Sequence, residues 1–312
     1  MRTVLVTGPG GAGRTTLAAA TARAAARTGT RVLLLTADPG DRLGTALGTP
    51  LGPAPVEAAP GLHALRLDAA DRLRADLLAL QERAATALDA LGATPLAADE
   101  LTPLPGAEEL ALLRALREQA ALTRPGTSVT LVAEPGPAGA DALREARTAL
   151  ALHALPAGPV LANRVLPAEG AGAWAAPLLA QQAKTLDAWD QDPGGPAVRV
   201  PHLGHDPRGP EDLDALGVPA PGPVPAAAGP RVEDRLAEDG VLLWRLELPG
   251  ATRDQLDLVR RSDELVVTAG PFRRILPLPA ALRRCTVAGA ALRDGALTVR
   301  FAPDPAQWPQ GR

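Results

Sequence analysis

A chain of 312 residues is long enough for two domains and a well-buried core. Its formal net charge of −3 gives no electrostatic reason to bind nucleic acid or an acidic membrane surface, and no apolar run approaches the ~20 residues of a membrane span. A single cysteine, Cys285, excludes an internal disulfide and a Cys-x-x-Cys metal site. One lysine (Lys184) among many arginines, no tyrosine, and abundant alanine, proline and glycine have the look of GC-rich codon usage. Met1-Arg2 leads directly into an apolar strand with no signal segment, and a soluble cytoplasmic protein is expected.

The first predicted element is a strand, Thr3 to Thr7. Gly8-Pro9-Gly10-Gly11-Ala12-Gly13-Arg14-Thr15-Thr16 separates it from an alanine-rich helical pattern, Leu17 to Arg27. Strand, glycine loop and helix follow one another in the order of a phosphate cradle. Gly8, four residues, Gly13, a basic residue and Thr15 fit the P-loop pattern everywhere except at Arg14, where lysine is usual. Glycines let backbone N–H groups turn inward around an oxyanion, the helix N-terminus adds its dipole, and a threonine hydroxyl reaches Mg²⁺.

Arg31 to Thr36 predicts a strand buried on both faces of a parallel sheet. It runs into Ala37-Asp38-Pro39-Gly40, which puts Asp38 at the carboxyl edge of the sheet, where ligands bind in open α/β folds. His63 to Leu67 predicts another strand, and Asp68 to Leu91 a long helix with Leu73, Leu77, Leu80, Ala84 and Leu88 on one side, a stripe of a kind that more often packs on its own sheet than receives a client. Thr94 to Pro105 reads as loop and Gly106 to Ala121 as a helix built on Leu110, Leu113 and Leu116. Val129 to Ala133 is a predicted strand ending in Glu134-Pro135-Gly136-Pro137. A carboxylate there either organises a magnesium shell or is simply exposed at a strand end.

Ala140 to Leu155 predicts one helix and Pro159 to Ala162 one strand, followed by Asn163-Arg164. An amide at such a strand end pairs with both donor and acceptor on the adenine edge; from the local pattern alone, Asn163 reads as a turn residue. Ala171 to Asp190 is helical, with Trp174 and Trp189 as packing residues, and Val198 to Leu203 is a final short strand. His202, His205 and Asp206 lack the further ligand cluster that a metal site requires, so loop hydrogen bonding is the reading for them. Val218 to Pro230 is a linker inclined to polyproline II. Beyond it the period changes from 3.6 to 2: Val241, Leu243, Arg245 and Glu247 alternate with Leu242, Trp244, Leu246 and Leu248. Further short strands at Leu256 to Val259, Glu264 to Thr268, Arg273 to Leu278 and Ala296 to Phe301, separated by turn dipeptides, predict a β-sandwich.

With these residues in place, residues 1–217 resemble the ArsA family of deviant P-loop ATPases, which includes arsenite-efflux ATPases and tail-anchored-protein targeting factors. The resemblance rests on the Gly8 to Thr16 loop, Asp38-Pro39 of switch I, Glu134-Pro135-Gly136-Pro137 of switch II and Asn163-Arg164 of the adenine site. Residues 241–301 resemble the α-crystallin domain of small heat-shock proteins, through Leu248-Pro249-Gly250, Leu276-Pro277-Leu278-Pro279 and Ala290 through Asp294-Gly295-Ala296-Leu297. The implied fold is an α/β P-loop NTPase with a mostly parallel sheet flanked by helices, then a small all-β sandwich. The implied domains are 1–217, a linker at 218–230, the sandwich at 231–303 and a tail at 304–312.

The implied cofactors are ATP and Mg²⁺. Gly8, Gly10, Gly11, Ala12, Gly13, Arg14, Thr15 and Thr16 would hold the phosphates, and Asn163 and Arg164 the base. Thr15, and Glu134 indirectly, would serve the magnesium, while Asp38 and Arg14 would be catalytic. The implied partners are ATP, a second copy of the chain and an unidentified protein. Four departures from the family pattern bear on mechanism. Pro9 stands where the family's signature lysine reaches into the partner subunit. Arg14 is a planar fork in place of a compact ammonium, and Glu134 replaces an aspartate. Only one helix separates Pro137 from Asn163, where the family usually inserts a helical client-binding subdomain. The expected function is therefore ATP binding with weak hydrolysis, an ATPase or ATP-dependent switch. The alternative is a non-hydrolysing scaffold with a degenerate P-loop. A partition-type ATPase would need a basic surface or a C-terminal amphipathic helix, and the sequence offers neither. Arsenite transport needs clustered thiols, of which Cys285 supplies one.

Overall fold

The computed structural model describes residues 2–38, 40–90, 92, 94, 96–97, 100, 127–170, 172–191, 195–223 and 229–308. The helix expected over 106–121 lies outside the described residues, as do Pro39 and most of the loop expected over 94–105. In chain order the elements are β1 (Thr3–Thr7), α1 (Arg14–Arg27), β2 (Val32–Thr36), α2 (Arg42–Leu47), β3 (Val56–Ala59), β4 (Leu62–Arg66), α3 (Ala69–Arg83) and α4 (Ala85–Ala90). There follow β5 (Thr127–Ala133), α5 (Pro137–Leu152), β6 (Ala157–Val165), α6 (Ala176–Asp190), β7 (Val198–Pro201) and α7 (Gly209–Ala215). The last strands are β8 (Arg231–Arg235), β9 (Val241–Glu247), β10 (Leu256–Arg261), β11 (Glu264–Ala269), β12 (Phe272–Pro277), β13 (Cys285–Arg293) and β14 (Ala296–Pro303). The chain divides into two compact units, one built from residues 1–12, 126–199 and 223–312, the other from 13–125 and 200–222.

In the first unit a four-stranded sheet has the order β1-β5-β6-β7, with β1 and β6 both parallel to β5. All seven residues of β5 are buried, as expected of a strand paired on both sides whose faces are covered. Leu143 of α5 and Leu186 and Trp189 of α6 form one cluster with Val129, Leu131 and Val160 of the sheet. Trp174 departs from expectation: it is 77% exposed. It sits on a short 3₁₀ turn, Ala173–Ala175, ahead of α6, so the helical period that buries Trp189 does not extend to it.

The same unit holds two antiparallel sheets, β10-β11-β12 and β13-β14-β9-β8, enclosing a core of Trp244, Leu246, Leu265, Val267, Val299 and Phe301 among others. The predicted alternation of β9 holds from Leu242 onward, with Leu242, Trp244 and Leu246 buried and Arg245 and Glu247 exposed, whereas Val241, predicted on the face of Arg245 and Glu247, is buried. This core also takes in Leu152, the last residue of α5.

The second unit is built around α1, which packs against β2, α2 and α7. Leu17, Ala19, Ala20, Ala22 and Ala24 are buried on it, and the alanines are small enough to let neighbouring backbones approach closely. Its sheet has the order β2-β4-β3, with β2 parallel and β3 antiparallel to β4. The expectation that β2 is buried on both faces is corrected here. It is an edge strand of a three-stranded sheet, and Leu33 is 50% exposed. The single helix expected from Asp68 is two, because the Ala84 N–H is shared between the Leu80 and Gln81 carbonyls at 2.9 and 3.1 Å and the helix tightens and stops.

Candidate functional site

The glycine loop leaves β1 under a steric demand that only glycine meets. A Cβ on Gly8 would lie 2.0 Å from the carbonyl oxygen of Val132 in β5, so the loop starts pressed against the neighbouring strand's backbone. Pro9 and Ala12 then close a turn, Ala12 N–H donating to the Pro9 carbonyl at 3.3 Å. Ala12 is buried, and its own carbonyl accepts a 2.8 Å hydrogen bond from Asn163 Nδ2. Asn163 lies within β6, buried at 6% exposure, and is not the turn residue that its local pattern predicts. Its partner is 151 positions away in the chain.

Next to it, Arg164 adopts φ 55°, the left-handed region that non-glycine residues seldom occupy. Its guanidinium pairs with Glu134 Oε1 at 2.6 Å, both side chains being about half exposed. The structure thus brings together Gly8, Ala12, Glu134, Asn163 and Arg164 within one unit.

Gly13, Arg14, Thr15 and Thr16 belong to the second unit. Gly13 is the N-cap of α1 at φ 91°, in the left-handed region, and α1 begins at Arg14, three residues earlier than its alanine period predicts. No side chain caps this N-terminus and no acidic residue lies in the first turn. Arg14 is exposed and Thr15 and Thr16 are half-buried. Asp38 stands just beyond β2, its Oδ1 accepting from Gly40 N–H at 3.0 Å and its Oδ2 3.5 Å from Arg42 Nε.

Asp41, which the motif reading passed over, organises the segment that follows. Its carboxylate accepts from Gly44 N–H and Leu51 N–H, each at 3.1 Å, so it caps α2 and ties down the chain beyond it. An aspartate ahead of a helical stretch was the available signal.

The second unit also contains an ion pair invisible to local patterns. Arg23 of α1 grips Asp214 of α7 through Nε at 2.9 Å and Nη2 at 2.7 Å, and Arg27 joins the same carboxylate. The Arg23 hydrogen bond, and then the charges of Arg23 and Arg27, hold the Asp214 carboxyl below its usual range. Because the folded value is depressed, the stabilisation is complete above the unfolded value of about 4 and is lost as pH falls through the folded one. Asp214→Asn should lower Tm at pH 7 by roughly 2–4 °C, after allowing for a carboxylate one-third exposed to solvent. Thermal melts of both proteins should converge as the pH is taken below about 4; a difference independent of pH would refute the electrostatic account.

His202 Nδ1 accepts from Gly204 N–H at 2.9 Å, and His205 Nε2 lies 3.2 Å from Asp212, so the histidines serve their own loop. Among the described residues, no group of three or more His, Cys, Asp or Glu could hold a metal ion.

Residues 1–139 match the family described as "Anion-transporting ATPase", the ArsA ATPase, and residues 239–301 match "HSP20-like domain found in ArsA". Over the full length of both chains, the protein is 49% identical to an uncharacterized protein of Streptomyces coelicolor. It is 31% identical to a protein of Mycobacterium tuberculosis, over 99% of this chain and 97% of the relative.

The chain belongs to the ArsA family.

A Chlorobaculum tepidum protein named as an arsenical pump-driving ATPase is 35% identical over 140 residues, 45% of this chain and 34% of the relative. The Streptomyces alignment spans 393 positions against the 312 residues here, so that relative carries segments that this chain lacks. ArsA architecture therefore accounts for both parts of the molecule: a P-loop ATPase domain with a parallel sheet and flanking helices, then an HSP20-like sandwich. Cys285, the ArsA chain's one thiol, is buried within the sandwich core, and burial pushes its thiol above the usual range.

Proposed function

We propose that the chain binds Mg-ATP at the Gly8 to Thr16 loop and acts as an ATP-dependent switch with weak hydrolysis. The carrying observation is the N-terminus of α1: an uncapped first turn with no carboxylate, reached through a glycine loop pressed against β5. Unpaired first-turn amides and the positive end of the helix dipole favour a phosphate. In this reading the amides of residues 8–16 cradle the phosphates, Thr15 offers its hydroxyl to Mg²⁺, and Arg14 supplies positive charge. Asn163 and Arg164 receive the base, with Asn163 also holding the loop through the Ala12 carbonyl.

The donors suit magnesium, which takes hard oxygen ligands and relies on one or two carboxylates plus phosphate oxygens and water. When bound, it neutralises charge on the phosphate oxygens. Glu134 would reach its hydration shell, and Asp38, fixed by Gly40 and Arg42, would orient the attacking water. We read the segments that the chain lacks as the family's helical client-binding insertion, since α5 alone lies between Pro137 and β6. A homodimer is part of the same proposal. An arsenical substrate is not, because a lone buried thiol is a poor ligand for a thiophilic ion. Among the described residues, no helix is long and apolar enough to cross a membrane.

A second reading, a nucleotide-binding scaffold without turnover, draws on Pro9 and on the engagement of Glu134 by Arg164. Phosphate release with and without Mg²⁺ separates the two. Under the switch reading, release is slow and Mg-dependent, and Asp38→Asn lowers it about 10²-fold or more while changing ATP affinity little. Binding without release above background selects the scaffold.

A further inference from the structure

We propose that the β-sandwich is a brace on α5 through which nucleotide occupancy and the state of the sandwich bias one another; this rests on the reading of the loop as a nucleotide site. The far end of α5 is built into the sandwich. Leu152 is fully buried in its core beside Trp244, Leu246 and Leu248. The Leu152 carbonyl, one of those a helix leaves unpaired at its C-terminus, accepts from the Arg274 guanidinium of β12. The one hydroxyl hydrogen of Thr148 is shared between the carbonyls of Pro249, 2.8 Å from Oγ1, and Arg144, 3.0 Å from it. Gly250, at φ 84°, lies so close to α5 that a Cβ would come within 2.4 Å of Arg144 Cγ. The Leu248-Pro249-Gly250 turn therefore grips one particular stretch of helix.

The near end of α5 is tied to the loop by contacts inside the same unit. A Cβ on Gly139 would lie 2.0 Å from the Glu134 carbonyl, so the first turn of α5 moves only with the end of β5. Glu134 pairs with Arg164, and the adjacent Asn163 holds the Ala12 carbonyl of the loop. At 1.5 Å per residue the 16 residues of α5 make a lever roughly 24 Å long between the two ends. A rearrangement of Glu134 and Asn163 around a nucleotide thus reaches the sandwich through one helix, and by linkage a sandwich released from α5 changes the affinity of the loop.

The test is hydrogen exchange on the full-length protein, with and without a non-hydrolysable ATP analogue plus Mg²⁺, alongside calorimetric titration of the same analogue. Slowed exchange is expected at the loop amides, and also, by about fivefold or more, at the last turn of α5 and at Leu248–Ala251. Thr148→Val, which removes the hydroxyl but keeps the shape, and Gly250→Ala should abolish the remote slowing and shift analogue affinity about fivefold or more, with Thr148→Ser restoring both. Protection confined to the loop, with both variants binding within about twofold of wild type, overturns the brace and leaves the nucleotide site standing. An unprotected loop overturns the site itself, and the brace with it.

Discussion

Gly8→Ala is expected to destabilise the protein by about 3 kcal/mol and to abolish nucleotide binding. The added methyl would sit 2.0 Å from the Val132 carbonyl, a contact with backbone that no rotamer change relieves. Either β1 and β5 shift apart, breaking a parallel ladder that runs from Thr3↔Thr127 to Thr7↔Leu131, or the loop is driven outward. Gly10→Ala is the matched control, since a Cβ there meets nothing within 4 Å, and its stability should stay within about 0.5 kcal/mol of wild type. Urea denaturation of both variants decides the point. Equal midpoints would show that the strand-to-loop junction is looser than its geometry states.

The second large effect concerns catalysis and runs the other way. Pro9→Lys combined with Arg14→Lys is expected to raise phosphate release about 10²-fold or more while leaving ATP affinity within about tenfold. Two compact ammonium groups at charge-stabilising positions act mainly where charge develops in the transition state, which is why rate should respond more than binding. Arg14 already carries one positive charge, but its planar fork matches carboxylate and phosphate edges side-on and is a poor substitute for a point charge threaded beneath the phosphates. The Pro9 carbonyl that accepts the Ala12 N–H is kept in Pro9→Lys, so the turn survives the exchange. Steady-state phosphate release and calorimetry on the double variant measure both quantities. A variant that binds as wild type does and releases no more phosphate would place the catalytic defect elsewhere, with Glu134 and its Arg164 partner the next residues to exchange.

The residues that carried the sequence reading were those whose partners lie close by in the chain. Glycines between an apolar strand and an alanine-rich helix announce a phosphate loop because the loop's demands are local. The alternation of Leu242, Trp244 and Leu246 against Arg245 and Glu247 announces a half-buried strand for the same reason. Long-range contacts left no such trace. Arg23 and Asp214 are 191 positions apart, and neither belongs to a motif. Asn163 looked like a turn because the carbonyl that satisfies it belongs to Ala12, which only the parallel sheet brings near. Leu152 ends its helix with no local mark of its place in the sandwich core, which depends on the fold of residues more than 80 positions away. β2 shows the converse error: four apolar residues in a row fit a strand buried on both faces, yet an edge position leaves Leu33 half exposed.

Calorimetric titration of the full-length protein with ATP and with a non-hydrolysable analogue, with and without Mg²⁺, decides whether the Gly8 to Thr16 loop is a nucleotide site. A single site for both ligands is expected, with a dissociation constant between about 1 µM and 1 mM. Binding should be strengthened by Mg²⁺ and lost in Gly8→Ala. A folded wild-type protein that takes up neither ligand at millimolar concentration would rule out a nucleotide site at this loop.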